Sequence, residues 1–341
     1  MPKTNKYCLG CGILKQTTDE NKPGYIMDLD HELCLDCFKL KNYGKVTSHF
    51  NPETYDDIDE NSLILIVQSV MQLDSLFTLP IYRIQPNAKY VYLINQMDLL
   101  PPETNLDHIY KNIKRKARNL KIKHMDIVFM SALNNYDLDN LKMFIDSFKE
   151  NKIYLFGFQN SGKSTIFKSL TNNPNVLSLN KAGLTLDVIE GKVGNKTIYD
   201  MPGVYIDGIL STFFDYEVYK HLLPSKTIFP KVYIFNKNQR LVLEDFIEIT
   251  TNDDEDVQLI FYLNPKVNIK RYNINNKTNH LNDDLKYTNK TFNVRTTKSH
   301  IQIADLGFIL INPKVNISIK YPVKMHLTQM ESLIKWHMKS F

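Results

Sequence analysis

The residues best suited to chemistry are Gly157-Phe158-Gln159-Asn160-Ser161-Gly162-Lys163-Ser164-Thr165. They follow the spacing Gly-x4-Gly-Lys-Ser/Thr, in which glycines let backbone N–H groups turn onto phosphate oxygens. Lys163 is expected to reach the β- and γ-phosphates, and Ser164 to hold Mg²⁺. Such a loop needs a strand before it and a helix after it, whose N-terminus also faces the anion. Ile153-Tyr154-Leu155-Phe156 reads as a buried strand, and Ile166, Phe167 and Leu170 share one face of a following helix. A glycine turn with an incidental Lys-Ser behind it would not bring both flanking elements.

Two further stretches extend the phosphate side. Leu179 to Asp187 resembles the first switch of GTPases that carry Pro-Gly-x-Thr-x-Asp, with Ala182 in place of the proline. Thr185 would there bind Mg²⁺ and sense the γ-phosphate. A hairpin-like pair, Leu186 to Lys192 and Lys196 to Tyr199, leads into Asp200-Met201-Pro202-Gly203. Asp200 would act on Mg²⁺ through water, and the Gly203 N–H would touch the γ-phosphate. Val204 stands where Ras-like enzymes place a glutamine that orients the attacking water. Asn160 suggests a substitute, because GTPases with asparagine there commonly hold a potassium ion beside the phosphates. The expectation is slow hydrolysis stimulated by K⁺. A plain loop-shaping role for Asn160 stays open.

The base-reading residues stand earlier in the chain. Tyr90-Val91-Tyr92-Leu93-Ile94 reads as a strand ending in Asn95-Gln96-Met97-Asp98. A carboxylate at Asp98 accepts two hydrogen bonds from guanine N1 and its exocyclic amine, a donor pair adenine lacks. Asn95 would brace the loop. A further strand at Asp126 to Met130 ends in Ser131-Ala132, whose backbone would contact the guanine oxygen. Gln96 replaces the usual lysine, whose long stem packs on the base, so weaker or less selective base binding is expected.

All four cysteines fall in the first forty residues, as Cys8-x-x-Cys11 and Cys34-x-x-Cys37. Two such pairs read as a closed Cys₄ zinc site. Disulfides fit poorly with a chain lacking a secretion signal. A redox pair would need a βαβ setting, and catalytic zinc would need an open coordination position. The expected role is to hold a module too small for its own core.

The bulk of the chain bounds these readings. Its 341 residues suit two or three domains, with 43% hydrophobic and 23% charged residues, as in a folded soluble protein. A net charge of +5 permits a nucleic-acid partner without requiring one. No apolar run approaches the roughly 20 residues that span a bilayer, and residues 1–6 lack a signal-peptide apolar region. A cytoplasmic monomer without a membrane partner is expected.

Leu63 to Val70 reads as a strand buried on both faces, followed by a short helix near Ser75 to Gln85. A basic helix from Glu103 to Leu120 carries Lys111, Lys114, Arg115, Lys116 and Arg118, either a phosphate-binding face or a solvated one. A capped helix covers Asp137 to Lys149, with Leu138, Leu141, Phe144, Ile145 and Phe148 on its apolar face. Beyond residue 225, strand-like runs include Lys231 to Asn236, Leu241 to Thr250, Val257 to Leu263, Val267 to Tyr272, His300 to Ala304, Leu306 to Ile311 and Val315 to Ile319. Asn273 to Thr291 reads as a polar, mobile loop. The tail from Val323 has apolar residues at helical spacing.

The motifs run base readers, phosphate loop, switches, whereas ordinary GTPases run phosphate loop, switches, base readers. With Cys₄ pairs ahead of it, this order resembles the YqeH-type circularly permuted GTPases. The resemblance takes in Leu222-Leu223-Pro224 to Phe229-Pro230 and, more loosely, Asp305-Leu306-Gly307-Phe308. It implies an α/β chain with a treble-clef-like zinc module at 1–50, a circularly permuted P-loop GTPase domain at 51–225 and a β-rich domain at 226–341 for RNA or protein binding. Glu150-Asn151 would be the join closing the permutation. The resemblance further implies GTP and GDP as ligands, and small-ribosomal-subunit maturation through ribosomal RNA contacts. The alternative is a nucleotide-gated RNA-binding adaptor with negligible hydrolysis. A P-loop ATPase or kinase is disfavoured by Asn95 and Asp98.

Overall fold

The structure is a computed structural model. It describes residues 15–20, 25–28, 31, 33–35, 38, 58–77, 85–102, 104–120, 124–158, 160–171, 188–203, 208–294, 299–312 and 314–332. The chain divides into two compact units. The first comprises Met1–Asp98, Arg115–Ile206 and Ser211–Lys220; the second comprises Leu99–Lys114, Asp207–Leu210 and His221–Phe341.

The first unit is built on β1 (Ser62–Ser69), β2 (Lys89–Asn95), β3 (Asp126–Phe129), β4 (Lys152–Gly157), β5 (Ile189–Val193) and β6 (Lys196–Asp200). Among the described residues these form one sheet of order β3-β2-β1-β4-β6-β5. Every residue of β1 is buried. It lies parallel to both β2 and β4, with Leu65 opposite Val91 and Leu155. A strand covered on both faces reads as a continuous apolar run, which is what Leu63 to Val67 supplies.

Alternation divides that run between the two faces. Leu63, Leu65 and Val67 share a core with Leu138, Leu141 and Ile145 of α2 (Asn135–Asp146) and with Ile166, Phe167 and Leu170 of α3 (Lys163–Thr171). Asn134 caps α2, its side chain accepting from the Tyr136 N–H at 3.0 Å. β5 alone runs antiparallel, as a hairpin with β6 that turns through Gly194 at φ +56°. All other strands of the sheet are parallel, so Ser69, Asn95, Gly157 and Asp200 end their strands along one edge of it. Ligands bind at that edge in open α/β sheets.

The base-pattern loop thus precedes the phosphate loop in the chain while sharing one sheet with it. The intervening join is held by several partners. Lys196 Nζ donates to the carbonyls of Phe148 and Glu150 at 2.5 and 2.9 Å. The Thr197 N–H donates to the Asn151 carbonyl at 2.9 Å. Lys89 pairs with Glu150 at 2.8 Å. Burial is the largest single influence on Glu150 and opposes its charge, but the Lys89 ammonium, a backbone hydrogen bond and the Lys196 charge together hold the carboxyl below its ordinary range.

The second unit contains β7 (Lys231–Phe235), β8 (Gln239–Leu243), β9 (Ile247–Thr251), β10 (Val257–Leu263), β11 (Ile269–Asn273), β12 (Tyr287–Val294), β13 (Ser299–Ile303), β14 (Gly307–Ile311), β15 (Val315–Pro322) and β16 (Leu327–Glu331). Among the described residues they form two five-stranded sheets, β16-β13-β14-β10-β7 and β11-β8-β9-β15-β12. Helix α1 (Leu106–Asn119) begins in this unit, where His108 and Asn112 side-chain nitrogens lie 3.2 and 3.4 Å from the Ser332 carbonyl.

Several local expectations change. The run Leu241 to Thr250 is a hairpin, β8 and β9, broken where Glu244 takes φ +50°. Within the tail, Leu327–Glu331 is a strand pairing with β13, not a helix, because cross-strand pairing overrides its apolar spacing, while Leu333, Ile334 and Trp336 lie outside the described residues. The Asn-rich segment after β11 is a run of turns closed by its own amides. Asn273, Asn276, Asn279 and Asn282 each accept the N–H two residues ahead, at 2.9, 3.0, 3.1 and 2.9 Å. Its far part, Tyr287 to Thr291, belongs to β12. Of the helix expected near Ser75 to Gln85, Ser75–Phe77 is a 3₁₀ turn and residues 78–84 lie outside the described residues; a further 3₁₀ turn, Val70–Gln72, precedes it.

Candidate functional site

The phosphate loop leaves β4 at Gly157. A Cβ there would stand 2.8 Å from Ser161 Oγ and 3.1 Å from the Val67 carbonyl, so only glycine fits. Gly162 has φ +84°, and its Cβ would lie 2.3 Å from Asn95 Nδ2. Gly157 is therefore favoured by space alone, and Gly162 by space and by its left-handed backbone. Helix α3 opens directly behind, with the Ile166 N–H donating to the Gly162 carbonyl at 3.0 Å. Lys163 and Ser164 stand in its first turn, followed by the partly exposed Thr165.

Asp200 ends β6 beside this turn and is fully buried. Its carboxylate pairs with the Lys163 ammonium, itself only 5% exposed, and accepts from Ser164 Oγ at 3.2 Å. A buried carboxylate needs such a partner, since an unpaired charge there is strongly penalised. Around Gly203 a Cβ would meet nothing within 4 Å. Ser164 and Asp200 thus bring hard oxygen donors to one point, a set that suits Mg²⁺. Ser161 Oγ is buried and has no hydrogen-bond partner among the described residues. Thr185, Ala182, Val204 and Gln159 lie outside the described residues.

The base-reading loop meets the phosphate loop from β2. Asn95, 1% exposed, donates to the Ser161 carbonyl at 2.8 Å and accepts from the Ala132 N–H at 2.9 Å. Gln96, at φ +64°, donates to the Asn160 carbonyl at 3.1 Å. Asp98 is exposed at the loop tip, and its Oδ1 accepts from Ser131 Oγ at 2.6 Å. The Ser131 N–H donates to Asp137 at 2.8 Å. Residues from β2, from the loop after β3 and from the phosphate loop are therefore brought together around Asn95. Both the Ser131 and Ala132 N–H groups have side-chain acceptors within the protein.

Sequence reading missed Ser69, whose hydroxyl donates to Gln96 Oε1 at 2.5 Å. The available signal was a small polar residue closing the strand after the apolar run Leu63 to Val67. On α1, Lys111, Lys114, Arg115 and Arg118 are exposed, but Lys116 is half-buried. Burial lowers the Lys116 ammonium, with the Asp74 charge acting against the shift. Of the cysteines, Cys34 is fully buried at the start of a turn in which the Phe38 N–H donates to the Cys34 carbonyl at 2.8 Å. Cys8, Cys11 and Cys37 lie outside the described residues, and among the described residues no three His, Cys, Asp or Glu side chains cluster as metal ligands. No described helix is long and apolar enough to cross a membrane.

A sheet edge carrying this loop, with Lys163, Ser164 and Asp200 converging on it, defines a P-loop GTPase, a nucleotide-binding fold of the GTP hydrolase class. The chain belongs to the 50S ribosome-binding GTPase family, whose model matches residues 152–334, from the first residue of β4 onward. Asn95 and Asp98 precede that span, as the rearranged motif order requires. The chain is 23% identical over 361 aligned positions to the uncharacterized protein YqeH of Bacillus subtilis (strain 168), covering 96% of this chain and 99% of that protein. That match along nearly the whole length bears out the YqeH-type resemblance. A shorter likeness, 25% over 151 residues, joins 42% of this chain to 29% of the tRNA modification GTPase MnmE of Mycoplasma mycoides subsp. mycoides SC.

Proposed function

We propose that this protein hydrolyses GTP as an assembly factor of the small ribosomal subunit, its nucleotide state gating contact with pre-ribosomal RNA. The observation that carries the guanine part is Asn95, whose side chain joins the phosphate loop at Ser161 to the base-side loop at Ala132. On this reading exposed Asp98 would read guanine while Lys163 and Ser164 would serve the phosphates. Ser164 would hold Mg²⁺ with Thr185, and Asp200 would act through water; the ion would supply charge neutralisation at the phosphates. The small-subunit part rests on the YqeH-type resemblance alone; the family description supports a ribosomal partner but names the 50S particle.

Two further metals belong to the proposal. Cys8, Cys11, Cys34 and Cys37 would hold structural zinc, tested by metal content in the purified chain and in Cys34→Ser. Asn160 would help hold K⁺, and equal single-turnover rates in Na⁺ and K⁺ would remove that element. Asp207–Leu210 belongs to the second unit, where the His326 N–H donates to the Gly208 carbonyl at 2.9 Å and the Leu210 N–H to the Asp305 carboxylate at 2.8 Å. This segment begins four residues after Gly203 along the chain, so release of the γ-phosphate would be passed to the β-rich unit.

The test is co-sedimentation with ribosomal particles in a non-hydrolysable GTP analogue, GDP or an ATP analogue. Enrichment on small-subunit particles only with the GTP analogue supports the proposal. Enrichment on 50S particles instead replaces the partner, and indifference to nucleotide favours a constitutive adaptor. Gln96 in place of lysine and Val204 motivate the adaptor reading, in which hydrolysis is negligible even in K⁺. Under either reading it would act in the cytoplasm as a monomer.

A further inference from the structure

The usual base-reading loop carries a lysine where this chain has Gln96, and the structure shows what stands in its place. Gln96 does not act alone. Ser69, the last residue of β1, accepts from the Met71 N–H at 3.1 Å and donates to Gln96 Oε1 at 2.5 Å. The amide nitrogen of Gln96 then donates to the Asn160 carbonyl at 3.1 Å. The groups run in one donor-to-acceptor direction, from the 3₁₀ turn after β1, through the base-side loop, into the phosphate loop. Each hydrogen bond in such a chain polarises the next.

The two ends of the Gln96–Asn160 contact are unusual in backbone as well. Gln96 has φ +64° and Asn160 φ +61°, left-handed conformations that non-glycine residues adopt at a penalty. Something must hold them there. An ammonium can donate in any direction, so a lysine needs no orienting partner to reach that carbonyl. A carboxamide has one donor end and one acceptor end, and only one of its two flips serves Asn160. The Ser69 hydroxyl, itself committed as an acceptor to Met71, has its proton left for Gln96 Oε1 and so selects that flip.

We infer that Ser69 and Gln96 form an uncharged positioning pair that replaces the lysine, with Ser69 orienting the amide that holds the phosphate loop at Asn160. Ser69 is a positioning residue, acting through Gln96. The inference rests on the guanine-nucleotide reading of the site only for its effect on binding; its effect on the loop backbone is independent of any ligand.

The experiment uses the full chain with Ser69→Ala, Ser69→Thr, Gln96→Met, Gln96→Lys and the two doubles that combine Ser69→Ala with each Gln96 change. Two readouts are taken: amide hydrogen exchange across Ser161 to Ser164 without nucleotide, and the Kd of a fluorescent GDP. Loss of one neutral hydrogen bond corresponds to about three- to tenfold in either readout. S69A and Q96M are each expected to shift both by that factor, without adding in the double, while S69T restores the wild-type values. In the Q96K background S69A is expected to change neither by more than about twofold. Equal effects of S69A in the wild-type and Q96K backgrounds would reduce Ser69 to a cap of the Val70–Gln72 turn and overturn the inference. So would strictly additive effects of S69A and Q96M, or exchange unmoved by either. Should the exchange pattern hold while neither wild type nor Q96K prefers GDP to ADP, the pair stands and the guanine reading falls.

Discussion

Replacing Asn95 tests the join between the base-side and phosphate loops most directly. In Asn95→Ala the Ser161 carbonyl loses its donor at 2.8 Å and the Ala132 N–H loses its acceptor at 2.9 Å. Both groups lie in residues that are nearly solvent-free, Ser161 at 0% and Ala132 at 7% exposure. Each buried backbone group left unsatisfied costs about 1–3 kcal/mol, so the pair should cost about 2–6 kcal/mol. Asn95→Asp separates the two contacts. It keeps an acceptor for the Ala132 N–H but turns an oxygen towards the Ser161 carbonyl. That buried carboxyl is expected to favour its neutral form, whose O–H can donate to Ser161. Its folded pKa therefore lies above the unfolded value. The stability linked to the protonated form is fully present below the unfolded pKa and is lost as pH rises through the folded one. Urea unfolding monitored between pH 4 and pH 8 reads both effects. Asn95→Ala should lower stability at every pH, whereas Asn95→Asp should approach wild type only at the acid end. An alanine variant within about 0.5 kcal/mol of wild type, or an aspartate variant with no pH dependence of its own, would refute the bridging role of Asn95.

Other expectations follow from single contacts. Gly162→Ala meets both φ +84° and a 2.3 Å approach to Asn95, so guanine-nucleotide binding measured by calorimetry should fall at least tenfold, by about 1.4 kcal/mol or more. Gly208→Ala would set a Cβ 2.1 Å from the Lys324 carbonyl at φ +82°, and thermal melting should show the second unit destabilised by upwards of about 2 kcal/mol. Glu150, held below its ordinary pKa by Lys89, contributes stability that is present at neutral pH and is lost on acidification through the lowered folded value. Glu150→Gln should flatten that part of the acid-unfolding curve, and Lys89→Met should weaken or reverse it, because burial then opposes the charge with less to offset it. Phe167→Ala opens a cavity under the β4 face and should cost about 3–5 kcal/mol in denaturant unfolding.

Much of the site could be read from local spacing, because its requirements are local. A loop that wraps phosphate needs Gly157 where the strand ends and Gly162 where the helix begins, and those positions are set within nine residues of chain. The apolar run of β1 declared itself for the same reason, since a strand covered on both faces has no polar alternation to confuse it. The order of the motifs also stood in the sequence, and with it the rearrangement that places base readers ahead of the phosphate loop. What distance in sequence concealed, only the fold could decide. Ser69 and Gln96 are 27 residues apart, and Gln96 and the Asn160 carbonyl 64 apart, yet one amide bridges both. Leu241 to Thr250 had the composition of a single strand, but pairing of β9 with β15 as well as β8 demanded a turn at Glu244. Residues 327–331 had helical apolar spacing, and became a strand because β13 offered them an open row of backbone partners. Turn and loop chemistry is carried by neighbours along the chain; pairing of strands and amides depends on partners that only the assembled sheets bring within reach.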